Sequence, residues 1–309
     1  MLELPSEIKE PIKLADWMEL LALISPDKNS SYGDLSSALR RTGAYDLNEV
    51  NPRSDESYQD EQIDEMCGEV FNEILHRAKA ADHSYPFAVS TSGSLLYVKT
   101  HTSWEQYAAY IFCLCLSYFG SPPGEGTNVP RRLFEDLSKY AAKNFINGDA
   151  VRMSPPRTDL PSPFADAVKE LCVQIGEGDG YKEQRDSKIQ PQDDRLDIVA
   201  WRHFPDSYPS KLIMFGQCAS NKYWAEWRKK LSELQPREFC EQWMISVPTP
   251  PPVKSFFVPH RVDKQRWRYA ARYSGIIFDR CRIAFWAHNT FDYEGYINWI
   301  KTVCLPSLA

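Results

Sequence analysis

Two short apolar runs, Leu196–Trp201 and Leu212–Phe215, flank a proline-bearing turn, and Ser220-Asn221, a pair that starts helices, follows them. Runs of this length bounded by turn residues read as strands, so the middle of the chain is committed to a sheet. Asp197 lies within the first run and Gln217 closes the second. A carboxylate on one strand and an amide oxygen on the next can converge on a single cation that takes oxygen ligands.

Around this centre the periodicity divides the chain in two. Apolar residues spaced like a helix occur over 12–24, 33–41, 62–81, 104–118 and 131–145. Pro86–Val89 and Leu95–Val98 flank Thr91-Ser92-Gly93-Ser94, a hairpin signal. We read a mainly helical N-terminal domain over 1–150 with a β-hairpin; a winged helix is the alternative arrangement of the same pieces. The stretch Met153–Pro163 holds four prolines and reads as the connection to a second domain, 151–309. There the order is helix 164–175, the two central strands, helix 221–234, strand 255–258, helix 264–273, strand 276–286 broken at Asp279-Arg280, and a last helix over 293–303. The expected class is α/β, α+β overall, with a mixed sheet flanked by helices in the C-terminal half. A chain of 309 residues is long enough for two cores.

No N-terminal stretch has the layout of a signal peptide, and the longest apolar run, Tyr107–Phe119, is too short to span a bilayer. The expectation is a cytoplasmic protein with no membrane association and with reduced, mostly buried cysteines. Cys113-Leu-Cys115 sits in a helical pattern without a His or CxxC partner, which argues against zinc. No His shows metalloprotease spacing; His203 is close enough in sequence to touch a phosphate, or is simply a turn residue.

Net charge is −6 but unevenly spread. Residues 46–65 hold eight acids against Arg53, whereas 254–282 hold eight bases (Lys254, Arg261, Lys264, Arg266, Arg268, Arg272, Arg280, Arg282) against Asp263 and Asp279. Cations interleaved with Trp267, Tyr269 and Tyr273 suit a nucleic-acid backbone. If 276–286 is a strand, Arg280 and Arg282 point to one side of it.

Asp197 on a strand, a tight excursion, Gln217 at the end of the next strand and then a helix are similar to the PD-(D/E)XK restriction-endonuclease-like core, in the Mrr-type variant where Gln replaces the acidic residue. The resemblance covers about residues 160–305. It implies that Asp197, Gln217 and the main-chain carbonyl of Cys218 hold Mg²⁺ or Mn²⁺, with Glu177, or else Glu170, adding a carboxylate. The family's lysine position is Ala219 here, so Lys222 on the next helix is the expected surrogate. The function implied is a metal-dependent nuclease cleaving DNA, in bacterial restriction or antiphage defence, with a protein partner or activator. The alternative is a catalytically degenerate scaffold that binds DNA or protein within a complex.

Overall fold

The computed structural model describes all residues except 1, 8, 44–55, 100–102, 121–128, 185–191, 289–291 and 306–309. The sequence reads surface loops over 46–60, 121–130 and 180–192; of these, 46–55, 121–128 and 185–191 lie outside the described residues, and 56–60 are helical instead. The chain forms two compact units, Met1–Phe119 with Tyr293–Ala309, and Gly120–Asp292. The division expected at 150/151 is therefore corrected at both ends: the 131–145 helix joins the second unit, and the C-terminal helix returns to the first.

The first unit contains α1 (Pro11–Ile24), β1 (Asn29–Ser31), α2 (Tyr32–Thr42), α3 (Glu56–Ala81), β2 (Phe87–Val89), β3 (Leu95–Val98), α4 (Ala108–Phe119) and α11 (Glu294–Trp299). Ser31 and Asp34 form a reciprocal capping box that starts α2. The hairpin pairs as expected, Phe87 opposite Val98, and β1 adds to its other strand to give the antiparallel order β1-β3-β2. The order helix-strand-helix-helix-strand-strand is the one that the winged-helix alternative expects. Too short to show alternation, β1 is not legible in the sequence. Helix α4 is buried along almost its whole length. Phe112 of α4 meets Tyr296 and Trp299 of α11 edge-on, each at 5.1 Å, which brings the C-terminal segment into this core.

A charge cluster lies inside the same unit. Arg77 of α3 is fully buried and pairs with Asp16 at 2.8 Å, Glu19 at 3.0 Å and Glu73 at 2.8 Å. Glu19 also accepts hydrogen bonds from Tyr85 Oη (2.7 Å) and Tyr110 Oη (2.9 Å). Burial opposes the charge of Arg77, but these carboxylates raise its pKa well above the usual value.

The second unit contains α5 (Val129–Ile146), β4 (Asp149–Arg152), α6 (Phe164–Ile175), β5 (Ile198–Trp201), β6 (Ile213–Cys218), α7 (Trp224–Lys230), α8 (Pro236–Trp243), β7 (Val253–Phe257), α9 (Lys264–Ser274), β8 (Ile276–Phe278) and α10 (Arg280–Ala287). The sheet order is β4-β5-β6-β7-β8, antiparallel through β6 and parallel beyond it. On one face Val151, Val199, Trp201, Ile213 and Phe215 pack with α6 and α8. Phe256 and Ile277 continue that face under α7 and α9. On the other face, Phe145 of α5 meets Phe278 of β8 and Trp286 of α10. The mixed sheet flanked by helices is as expected.

One strand expectation is overturned. Residues 280–287 are helix α10, not the continuation of a strand, because Asp279 caps it by accepting from the Arg282 N–H at 3.1 Å. Arg280 and Arg282 therefore do not alternate along a strand.

Between α9 and β8 the chain turns at Gly275, whose φ is +72°. A Cβ there would stand 2.3 Å from the Lys254 carbonyl oxygen on β7. Gly275→Ala should cost about 2–4 kcal/mol, combining left-handed strain with a backbone clash. The midpoint of urea unfolding checks this.

Candidate active site

The acidic centre forms where α5 packs across the start of β5. Asp197 precedes β5 and is buried, with its carbonyl oxygen accepting from Met153 N–H at 2.8 Å. Its Oδ2 accepts from the Cys218 N–H at 2.7 Å, which ties it to the end of β6. Its Oδ1 lies 3.7 Å from Arg131 Nη2. Arg131 Nε donates at 2.7 Å to Glu135 Oε1, one turn further along α5. Ser154 Oγ donates to Glu135 Oε2 at 2.5 Å, holding the second oxygen from the segment after β4.

Two buried carboxylates thus share one guanidinium whose side chain is 56% exposed. Burial raises the Asp197 pKa well above the usual carboxylate range; the Glu135 charge adds to this, while the Cys218 N–H and Arg131 oppose it. Burial likewise pushes the Cys218 thiol up, with Asp197 and Glu135 adding to the effect. For Arg131, burial works against the charge, but the Glu135 bond and the carboxylate charges more than offset it and raise its pKa.

No family model, curated protein or solved structure matches this chain.

The expected ligand set is only partly assembled. Successive residues of β6 face opposite sides of the sheet. Cys218 is directed to the α5 side, where Glu135 and Ser138 are close enough to influence its thiol. Gln217 takes the other face, and its Nε2 donates to Glu233 Oε2 at 3.0 Å, beyond α7. The contacts of Asp197 and Gln217 therefore lie on opposite layers. Gln217 Oε1 is buried and receives no hydrogen bond from the described residues.

Glu177 does not join Asp197 either. Its two oxygens accept from the Ser210 and Thr249 N–H groups at 3.2 and 3.0 Å, so it braces two loops. The positive φ of Gly176, 67°, turns the chain there. Glu170 accepts from Gln174 on its own helix. Lys222 lies with its ammonium 5.7 Å from the Tyr223 ring centroid and makes no ion pair with a described residue. His203 Nε2 accepts from Trp201 Nε1 at 2.7 Å within the turn.

The basic stretch also divides. Arg280 is fully buried and so does not belong to an outer surface. Arg261 pairs with buried Asp279. Lys264, Arg268, Arg272 and Arg282 are exposed, and Arg266 lies over the Trp224 ring at 5.5 Å.

Glu135 and Arg131 were not anticipated from the sequence. A signal was present: Glu135, Ser138 and Ala142 share a helix face at spacings of three and four, so an acid heads a stripe of small residues. Such an acid cannot avoid the sheet that the stripe packs on.

Proposed function

We propose that the Gly120–Asp292 unit is a divalent-metal-dependent nuclease that hydrolyses DNA phosphodiester bonds. The observation carrying this reading is the pair of buried carboxylates, Asp197 and Glu135, held around one half-exposed guanidinium. Two ionised carboxylates with one cation leave a net negative site, and burial first, then the Glu135 charge, raise the proton affinity of Asp197. Such donors fit Mg²⁺ or Mn²⁺, which take hard oxygen ligands and keep several waters. Among the described residues no three or more His, Cys, Asp or Glu side chains gather as a cage, so an all-protein site of the zinc or calcium kind is not supported.

Asp197 and Glu135 would hold the cation. When bound, it would acidify a water and offset charge on the phosphate. The Cys218 N–H and Ser154 Oγ fix the two carboxylates in place, so little reorganisation is needed. Arg131 stands at the mouth as the fixed positive charge available to a phosphate oxygen. It takes the part that the missing lysine would have, in preference to Lys222. Gln217 serves the loop after α7 through Glu233. The family resemblance extends this reading to restriction or antiphage defence with a protein activator.

A second reading rests on the same guanidinium. Because Arg131 is paired with both carboxylates, it could stand permanently in the place of a metal, leaving a DNA- or protein-binding scaffold. A regulator that reads DNA through the winged helix is less favoured. Its groove-entering helix would be α3, which carries seven acids, against Arg77, which is buried, and Lys79.

Cleavage of supercoiled plasmid and of a single-stranded DNA circle with Mg²⁺ or Mn²⁺ separates these readings. Asp197→Ala should lower the rate by about a hundredfold or more and Arg131→Ala by about tenfold to a hundredfold, with Lys222→Ala within about twofold. Cleavage insensitive to Asp197→Ala overturns the mechanism. Absence of both cleavage and Mn²⁺ binding by calorimetry establishes the scaffold.

A further inference from the structure

Outside the acidic centre, the same unit carries a surface on which cations and rings alternate in space. On α9 the spacing of four places Tyr269 and Tyr273 on one stripe, with their rings 4.9 Å apart. Arg268 and Arg272 form the neighbouring stripe and are exposed. Facing them on α7, Trp224 meets Tyr269 at 6.3 Å and Arg228 lies 5.7 Å from the Tyr269 centroid. Arg266 covers Trp224 at 5.5 Å. Tyr223 precedes Trp224 in the chain, and Tyr223, Tyr269 and Tyr273 are 44, 44 and 42% exposed.

Residues 222–230 and 263–274 together hold eight cations (Lys222, Arg228, Lys229, Lys230, Lys264, Arg266, Arg268, Arg272) against Glu226 and Asp263. This excess stands out in a chain of net charge −6. The apolar residues that anchor the two helices, Trp227, Leu231 and Ala270, are buried beneath. The rings of Tyr223, Tyr269 and Tyr273 lie outside this core, and Trp224 packs against its edge.

A duplex presents phosphates and hides its base faces, so cations alone would serve it. Exposed rings in line with cations are what a strand with unpaired bases uses: the backbone follows the charge and each base lays a π-face on a ring. We infer that the α7/α9 surface is a stacking platform for single-stranded nucleic acid. This deepens the nuclease reading, on which it rests for the cleavage step, by naming the substrate as a strand with exposed bases. Lys222 and Tyr223 lie four and five residues beyond Cys218, whose N–H holds Asp197, so the chain leaving β6 leads from the acidic centre on the α5 face to the platform on the opposite face of the sheet.

The test uses the full chain in EDTA, so that binding is read without cleavage. A labelled oligothymidylate of about 20 nucleotides, a duplex of equal length and inorganic polyphosphate are compared at ~50 mM salt by anisotropy. The single strand should bind about tenfold tighter than the duplex and quench tryptophan fluorescence, which polyphosphate should not do. Tyr269→Ala should weaken the single strand about tenfold and change the duplex by less than about twofold. Arg268→Gln with Arg272→Gln should weaken both and flatten the salt dependence. Equal affinity for strand and duplex with no effect of Tyr269→Ala overturns the inference, leaving a phosphate-only surface. Failure to bind either nucleic acid also overturns it and points to a protein partner. Asp197→Asn should bind the oligonucleotide like wild type; if binding fails while Mg²⁺-dependent, Asp197-dependent cleavage persists, the platform falls and the nuclease reading stands.

Discussion

Arg77→Met should destabilise the first unit by about 3–5 kcal/mol, because it strands buried carboxylates without their cation. Asp16 and Glu19 are buried as deeply as Arg77, and the Ile12 carbonyl oxygen accepts from Arg77 Nη2 at 2.8 Å. The methionine fills much of the volume, so the loss reports charge and not a cavity. Hydrogen exchange along α1 and α3 should accelerate, and urea unfolding should shift to lower concentration. Neutralising the acids in the same background, with Asp16→Asn and Glu19→Gln, should recover a large part of the loss. Recovery would be absent if Arg77 contributed packing alone.

Asp197→Asn should have the opposite sign at neutral pH, raising stability by about 1–3 kcal/mol while abolishing metal-dependent cleavage. The aspartate's folded-state pKa is raised by burial and by Glu135, so the native protein holds its proton to higher pH than the unfolded chain does. Stability then falls as pH rises from the ordinary carboxylate range through the folded-state pKa, and below that range Asp197 contributes nothing. The asparagine removes this dependence and keeps an oxygen for the Cys218 N–H. The gain in melting temperature should therefore be larger at pH 8 than at pH 4. Added Mg²⁺ should stabilise wild type and leave Asp197→Asn unchanged. A variant no more stable than wild type at pH 8 would show that Arg131 already compensates the pair.

The elements that the sequence disclosed are those whose local and tertiary signals agree. Helix α6 has apolar side chains on one face and Gly176 at its end, and its bounds, Phe164–Ile175, are those expected. Strands β5 and β6 were legible because both are buried on each side and so read as unbroken apolar runs. β4 was hidden: Asp149-Ala-Val-Arg152 carries a charge at each end, and only pairing with β5 makes it a strand. α8 was overlooked because eight residues starting at Pro236 give barely two turns of periodicity. α10 was misread because Ile283–Trp286 is an apolar run, and such a run does not distinguish strand from helix without its cap at Asp279.

The acidic centre was half legible for a related reason. Asp197 was found because a carboxylate inside an apolar run is conspicuous. Glu135 lies more than 60 residues earlier, and its proximity depends on how α5 crosses the sheet. Gln217 was assigned to the same centre because strand position was known before strand facing. The irregular entry of Asp197 into β5, with its carbonyl oxygen accepting from Met153 and its N–H donating to Gly216, aims its side chain at α5.

The return of α11 to α4 has a bearing on synthesis. Tyr296 and Trp299 follow the whole of Gly120–Asp292, so a nascent chain completes the sheet that bears the acidic centre before it can seal the pocket around Phe112. The usual vectorial order, in which the first-translated unit matures first, is reversed. Until residues 294–299 have been made, Phe112 lacks its two aromatic neighbours, so the first core is completed only after the second unit has been translated.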